Sequence, residues 1–206
     1  AYAGQAVGAE YVSDAVALPA LRRFVSALQT EELAPTVGHF PPARLAEYSR
    51  QLMQRWDNTA VKHRTRQIAM DGSQKLPQRL LSATLERLEQ GLPVERLTLA
   101  VALWLRHLSG RDERGDPIPV NDPLAARLMP LATADRPAAQ VVERLLAVQA
   151  VFPEALAART DFRRQLTGAL ERTIHAYGRP VCGLWRFSVR KTGTFSWALP
   201  TNSKPS

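Results

Sequence analysis

The chain has 206 residues, 45% of them hydrophobic and 22% charged, enough apolar material for a real core and too little charge for a disordered polyampholyte. No apolar run approaches the roughly 20 residues of a membrane span, so no membrane partner is expected. The formal net charge of +8 invites a nucleic-acid reading, yet Arg179, Arg186, Arg190, Lys191 and Lys204 carry five of those charges in a tail without a single acid, which leaves the body mildly basic.

In chain order, the opening Ala1-Tyr2-Ala3-Gly4 has neither a basic n-region nor a long apolar stretch, and it reads as the middle of a longer chain and not as a signal peptide. Gly4-x-x-x-Gly8 lies among small residues and suits close helix packing. Leu18, Leu21, Phe24, Val25 and Leu28 recur at helical steps. Pro42 opens a second helix, with Leu45, Tyr48, Leu52 and Trp56 as its inward stripe. A third helix is predicted from Lys75 to Glu89, with Leu80, Leu81, Leu85 and Leu88 inward and Gly91 as its stop. Leu97 to Leu105 is apolar on every side, which places it at the centre of a bundle. A polar loop from Gly110 to Pro117 follows, then helices over 123–131, 137–151 and 161–177. The predicted fold class is therefore all-α, a multi-helical bundle over residues 1–178, with an aromatic, basic tail over 179–206 as an appendage. The single Cys182 excludes an internal disulfide framework and fits a cytoplasmic location.

The densest polar stretch runs from Lys62 to Arg79 and holds five cations against one acid, Asp71. Asp71-Gly72-Ser73 reads as a turn into a helix start, with Asp71 or Ser73 as N-cap. Free N–H groups at such a start favour an anion, and Lys75, Arg79 and Arg64 or Arg66 would add charge-assisted bonds to a carboxylate. The same residues also fit an ordinary capped helix with solvated cations, and His63 alone fits a surface histidine. His39, His107 and His175 have no cysteine or carboxylate at ligand spacing, so no metal site is expected. Trp56 and Trp104 lie on apolar stripes and read as core. No Gly-x-Gly-x-x-Gly turn and no phosphate-binding loop is present.

The run His63-Arg-Thr-Arg-Gln-Ile-Ala-Met-Asp-Gly-Ser-Gln-Lys-Leu-Pro-Gln-Arg-Leu-Leu81 closely resembles the mannitol dehydrogenase family, and within it the fructuronate reductase (D-mannonate oxidoreductase) branch. The resemblance extends to Leu21-Arg22-Arg23-Phe24, Glu31-Glu32-x-Ala34-Pro35-Thr36 and Tyr48-x-x-Gln51-Leu52-x-x-Arg55-Trp56-x-Asn58. It continues through Gly110-Arg111-Asp112-Glu113-x-Gly115-x-Pro117-Ile118 and Asn121-Asp122-Pro123-Leu124, and so covers Ala1 to about Gly178. It implies the helical, substrate-binding C-terminal domain of a two-domain oxidoreductase that uses NAD(H) and interconverts D-mannonate and D-fructuronate. A mannitol or arabinitol dehydrogenase is the alternative within the family. A basic helical nucleic-acid binder, resting on the tail, is the reading from another class.

The family's catalytic Lys-x-x-x-x-Asn-x-x-His motif is absent, so no catalytic or cofactor-binding residue is expected in this chain; both belong to an N-terminal Rossmann-type partner domain. By resemblance, Lys75 contacts a small-molecule sugar acid or sugar alcohol, and Arg79, Arg64, Arg66, Asp71 and His63 share its neighbourhood. Gln67 stands where polyol-oxidising relatives often place arginine, which tilts the sequence toward the uronate branch.

Overall fold

The computed structural model describes residues 1–174 apart from His39 and Ala134, and among them the protein is all-α, with two isolated extended bridges, Tyr11 to Arg64 and Arg111 to Pro117. His39, His175, Cys182 and the tail from Arg179 lie outside the described residues. The chain begins with α1 (Tyr2–Ala6), α2 (Val12–Ala17) and α3 (Pro19–Ala27), which widens into a π-turn over Leu28–Leu33 and closes in a 3-10 turn over Ala34–Thr36. Next come α4 (Pro42–Asp57), α5 (Thr65–Ile68) and α6 (Gly72–Leu76); α6 passes through a π-turn over Pro77–Leu81 into α7 (Ser82–Glu89). The remainder is α8 (Glu95–His107), α9 (Ala125–Leu128) with a 3-10 turn over Met129–Leu131, α10 (Ala138–Leu146), α11 (Glu154–Ala157) and α12 (Thr160–Ile174).

The centre is α8, buried from Leu97 to His107 apart from the half-buried Ala100. Its main neighbour is α12, which brings Phe162, Leu166 and Leu170, and α10 adds Val141, Val142 and Leu145 to the same core. Trp104 tilts against Phe152 at 6.2 Å between ring centres, and both side chains are sealed from solvent. Each such side chain contributes about 1.5–3 kcal/mol through burial. At Gly4, an added Cβ would lie 2.9 Å from the Ala15 Cβ, so α1 and α2 touch only because that position has no side chain.

The start of α8 is capped from 64 residues away. The Glu32 carboxylate accepts the backbone N–H groups of Arg96 (3.0 Å) and Leu97 (2.8 Å) and pairs with the Arg96 guanidinium at 3.3 Å. Those N–H groups have no partner inside their own helix, and at an interior helix start water cannot supply one. Arg87 completes the knot, donating to the carbonyls of Pro93 (2.9 Å) and Glu32 (3.3 Å).

Two expectations from periodicity need correction. The stripe on α4 is amphipathic as read, yet no residue of α4 is buried and Tyr48 is 62% exposed. The helix leans on α2 and the π-turn at 28–33 at the rim of the bundle and is not enclosed by it. The helix expected from Lys75 begins at Gly72 and changes pitch at Pro77, which lacks an N–H and crowds the carbonyl four residues back. As a result Leu76, Leu81 and Leu88 are buried, whereas Leu80 and Leu85 are half-buried. Gly91, with φ of +69°, ends α7 as read.

Candidate functional site

The Lys62–Arg79 stretch wraps the front of the bundle and enters α6 through Asp71. Asp71 adopts a left-handed conformation (φ 58°, ψ 35°), unique to it among the described non-glycine residues. It occupies the cap position, but its side chain makes no cap bond. The cap is Asp122: its Oδ2 accepts the Ser73 N–H at 2.7 Å and its Oδ1 accepts the Ser73 hydroxyl at 2.5 Å. The same Oδ1 accepts the Leu124 N–H (2.9 Å), and the neighbouring Asn121 carbonyl accepts the Asp71 N–H at 3.0 Å. The helix mouth read from sequence as a seat for a ligand anion is thus filled by a carboxylate of the chain itself.

With the cap supplied by Asp122, the Asp71 carboxylate turns to Lys75. The Lys75 side chain runs back toward the helix start, as long helical side chains do, and its Nζ donates to the Met70 carbonyl at 2.6 Å and lies 3.7 Å from Asp71 Oδ2. The Lys75 side chain is 29% exposed, at the rim and not in bulk water.

Behind Lys75 stands an aromatic wall. A Cβ on Gly72 would lie 2.5 Å from the Tyr2 hydroxyl oxygen and nearer still to the Trp104 Nε1, so both polar ends converge on the bare backbone of α6. Burial, followed by the charge of Asp122, pushes the Tyr2 hydroxyl above its ordinary value, while Arg79 pulls it down. Tyr2 also leans on His107, with 5.1 Å between ring centres. His107 is 4% exposed, and its Nδ1 finds no hydrogen-bond partner. Burial above all pushes His107 down to about 4, so the ring is neutral at pH 7.

The other residues singled out from sequence are spread along this surface. Arg79 is exposed one helical turn beyond Lys75. Arg64 is committed elsewhere: it pairs with Glu10 at 2.6 Å and stacks over the Tyr11 ring at 5.7 Å. Arg66 is exposed on α5. His63 is exposed and serves the fold through its backbone, accepting the Val12 N–H at 2.9 Å. Lys75, Asp71 and Arg79 therefore share one neighbourhood with Tyr2 and Asp122, whereas Arg64 and His63 hold the α1–α2 corner. Beside this site runs an open groove of about 510 Å³, between Ser73, Gln74, Pro77 and Gln78 on one side and Pro123, Leu124 and Ala150 on the other. Among the described residues, no three His, Cys, Asp or Glu side chains gather as a metal site would require.

Sequence reasoning missed Tyr2, His107 and the polar edge of Trp104, because an aromatic on an apolar stripe carries no sign of what its one polar atom faces. Asp122, in the Asn121–Leu124 stretch, carries no sign of its role in the sequence. The glycine after Asp71 was the available signal: it read as a turn, but it also marks where two side chains close on the backbone.

A family model described as the mannitol dehydrogenase C-terminal domain matches residues 1–174. D-mannonate oxidoreductase of Escherichia coli (strain K12) is 39% identical over 172 residues, which cover 84% of this chain and 35% of that protein. Mannitol 2-dehydrogenase of Pyrenophora tritici-repentis (strain Pt-1C-BFP) is 32% identical over 170 residues, covering 82% of this chain and 29% of that one. Among solved structures, Pseudomonas fluorescens mannitol 2-dehydrogenase in ternary complex with NAD and D-mannitol matches with a TM-score of 0.77 at 25% identity, covering 87% of this chain and 38% of that chain. The chain spans well under half the length of each of these relatives.

Proposed function

The chain belongs to the mannitol dehydrogenase family, and from that premise we propose that it is the substrate-binding part of a cytoplasmic, NAD-dependent oxidoreductase that interconverts D-mannonate and D-fructuronate. NAD(H), held by the part of the protein outside this chain, supplies or accepts the hydride. The described residues fit that division of labour, since they contain no strand and no glycine-rich turn to cradle a dinucleotide.

This chain's own contribution is to grip and orient the sugar. A carboxylate leaving water needs a cation, because burying it unpaired costs several kcal/mol. Lys75 is the residue assigned to it, with Arg79 one turn away, and Asp71 is assigned to accept from sugar hydroxyl groups. The observation that carries this reading is the state of the Lys75 ammonium: it rests at the rim on a neutral carbonyl and a longer contact to Asp71, with donor capacity to spare. Arg66 and His63 remain proposed as outlying members of the same face; Arg64, tied to Glu10, would have to exchange partners to join them.

In the full-length protein, Lys75→Ala should lower kcat/KM for the sugar acid by about 2–4 kcal/mol in transition-state terms, the scale of removing one partner of a desolvated charged pair. Unchanged kinetics would remove the assignment. The 32% identity to a mannitol 2-dehydrogenase supports a second reading, a polyol dehydrogenase. A substrate panel of uronates against neutral ketoses separates the two. The isolated chain should give no saturable NADH fluorescence signal in the micromolar range.

A further inference from the structure

We propose that Asp122 is a positioning residue for Lys75, acting through the backbone of residues 70–73. This rests on the assignment of Lys75 to the substrate, and the test below separates the two.

The loop at 121–124 grips the start of α6 at two points, one on each side of Gly72. The Asn121 carbonyl takes the Asp71 N–H, and the Asp122 carboxylate takes both the N–H and the hydroxyl of Ser73. None of Asp122's hydrogen bonds goes to Lys75; they end on Ser73 and Leu124. Asp122 is itself oriented by the Leu124 N–H, a local turn that Pro123 stiffens.

Asp71, held at the first grip, lies in the left-handed region, which aspartate tolerates better than most side-chain-bearing residues but still at a cost that the two grips offset. That twist presents the Met70 carbonyl and the Asp71 carboxylate together to the returning Lys75 side chain. The ammonium therefore takes its place from a relay: Asp122 fixes Ser73, Ser73 and Asn121 fix the Asp71 twist, and the twist sets the two acceptors on which Nζ rests. An ordinary local cap by Asp71 would consume the carboxylate that now faces Lys75. Capping from 49 residues away leaves it free.

A double-mutant cycle in the full-length protein tests this. Asp122→Asn keeps the shape but removes one of the two acceptors facing Ser73. It should lower kcat/KM for the sugar acid about tenfold, chiefly through KM, the scale for a binding group displaced by a fraction of an ångström. In a Lys75→Met background the same substitution should change kcat/KM less than about twofold, because the residue it positions is gone. Where the methionine variant turns over too slowly, the dissociation constant of the sugar acid, read by titration calorimetry, replaces kcat/KM in the same cycle. Equal losses in both backgrounds would make Asp122 a general helix cap and overturn the proposal; so would no loss in either. A Lys75→Met enzyme with undiminished kcat/KM would instead overturn the functional reading. Where Asp122→Asn does not fold, Ser73→Ala removes the hydroxyl contact alone and enters the same cycle.

Discussion

At the start of α8, the Glu32 carboxylate accepts two backbone N–H groups while 1% exposed, with Arg96 paired to it and Arg87 on its own carbonyl. At the start of α6, the Asp122 carboxylate accepts one backbone N–H and one hydroxyl at a half-buried rim. Both caps are borrowed across long stretches of sequence, and both answer the same requirement, that the first N–H groups of a helix find acceptors. What differs is the alternative. Inside the bundle no water replaces Glu32, so the cap contributes strongly to stability. Asp122 is only half-buried, so water can enter where its carboxylate stands and reach the buried Ser73, and the carboxylate is better explained by the geometry it imposes. The same chemistry supports stability in one place and aim in the other.

The sharpest way to break this comparison is Glu32→Ala. It should destabilise the protein by about 3–5 kcal/mol, the cost of leaving a buried cation short of its partner, read from the denaturant midpoint; Arg96 keeps Glu31 at 2.9 Å, which holds the loss toward the lower end. Acid should act next. His107 has a folded-state value of about 4 against an ordinary 6.5, so between those values the unfolded chain binds more protons. The stability it contributes is complete above pH 6.5 and is lost as pH falls toward 4, by on the order of 3 kcal/mol in all. Urea midpoints at pH 7.5 and pH 5 should differ accordingly, and His107→Gln should flatten the difference; identical midpoints in the parent protein would contradict the buried, neutral ring.

A smaller loss is expected from Gly72→Ala, where the new methyl meets Tyr2 and the immobile Trp104. About 1–3 kcal/mol is the usual cost of overpacking, and a shift of indole emission should accompany the lowered melting temperature. Smallest is Asp122→Ala, at about 1 kcal/mol, the ordinary value of a helix cap that water can replace. If it instead matched Glu32→Ala, the rim would be as dry as the interior and the contrast between the two caps would vanish.

Much of the fold was legible because it depends on local pattern. Leu97 to Leu105 is apolar on every face, which only a surrounded helix tolerates, and α8 is that helix. Gly91 and Pro42 mark a helix end and a helix start where the structure has them. The stripe on α4 misleads, since periodicity reports amphipathicity and says nothing of how closely a neighbour approaches. In the site, Lys75, Asp71 and Arg79 were legible as a cluster because they lie within one stretch of chain. Asp122, Tyr2 and His107 were not, because they reach the site from α1, α8 and a distant loop. No local signature tells a carboxylate at position 122 that its donor is Ser73.

The π-turn at Pro77–Leu81 has a consequence for that cluster. An α-helix advances 100° per residue, so Leu76 and Leu81, five apart, would point about 140° away from each other. The wider turn brings them onto one side, and both are buried. The turn is thus a phase shift between two lengths of one rod. Downstream of it the helix keeps Leu81 and Leu88 against the interior; upstream it is free to show Lys75 to solvent without exposing Leu76. Straightening this segment into α-helix at its present length would swing Leu76 or Leu81 outward, whereas deleting one residue would set the two leucines four apart, about 40° in an α-helix, and keep both inward with Lys75 still at the rim.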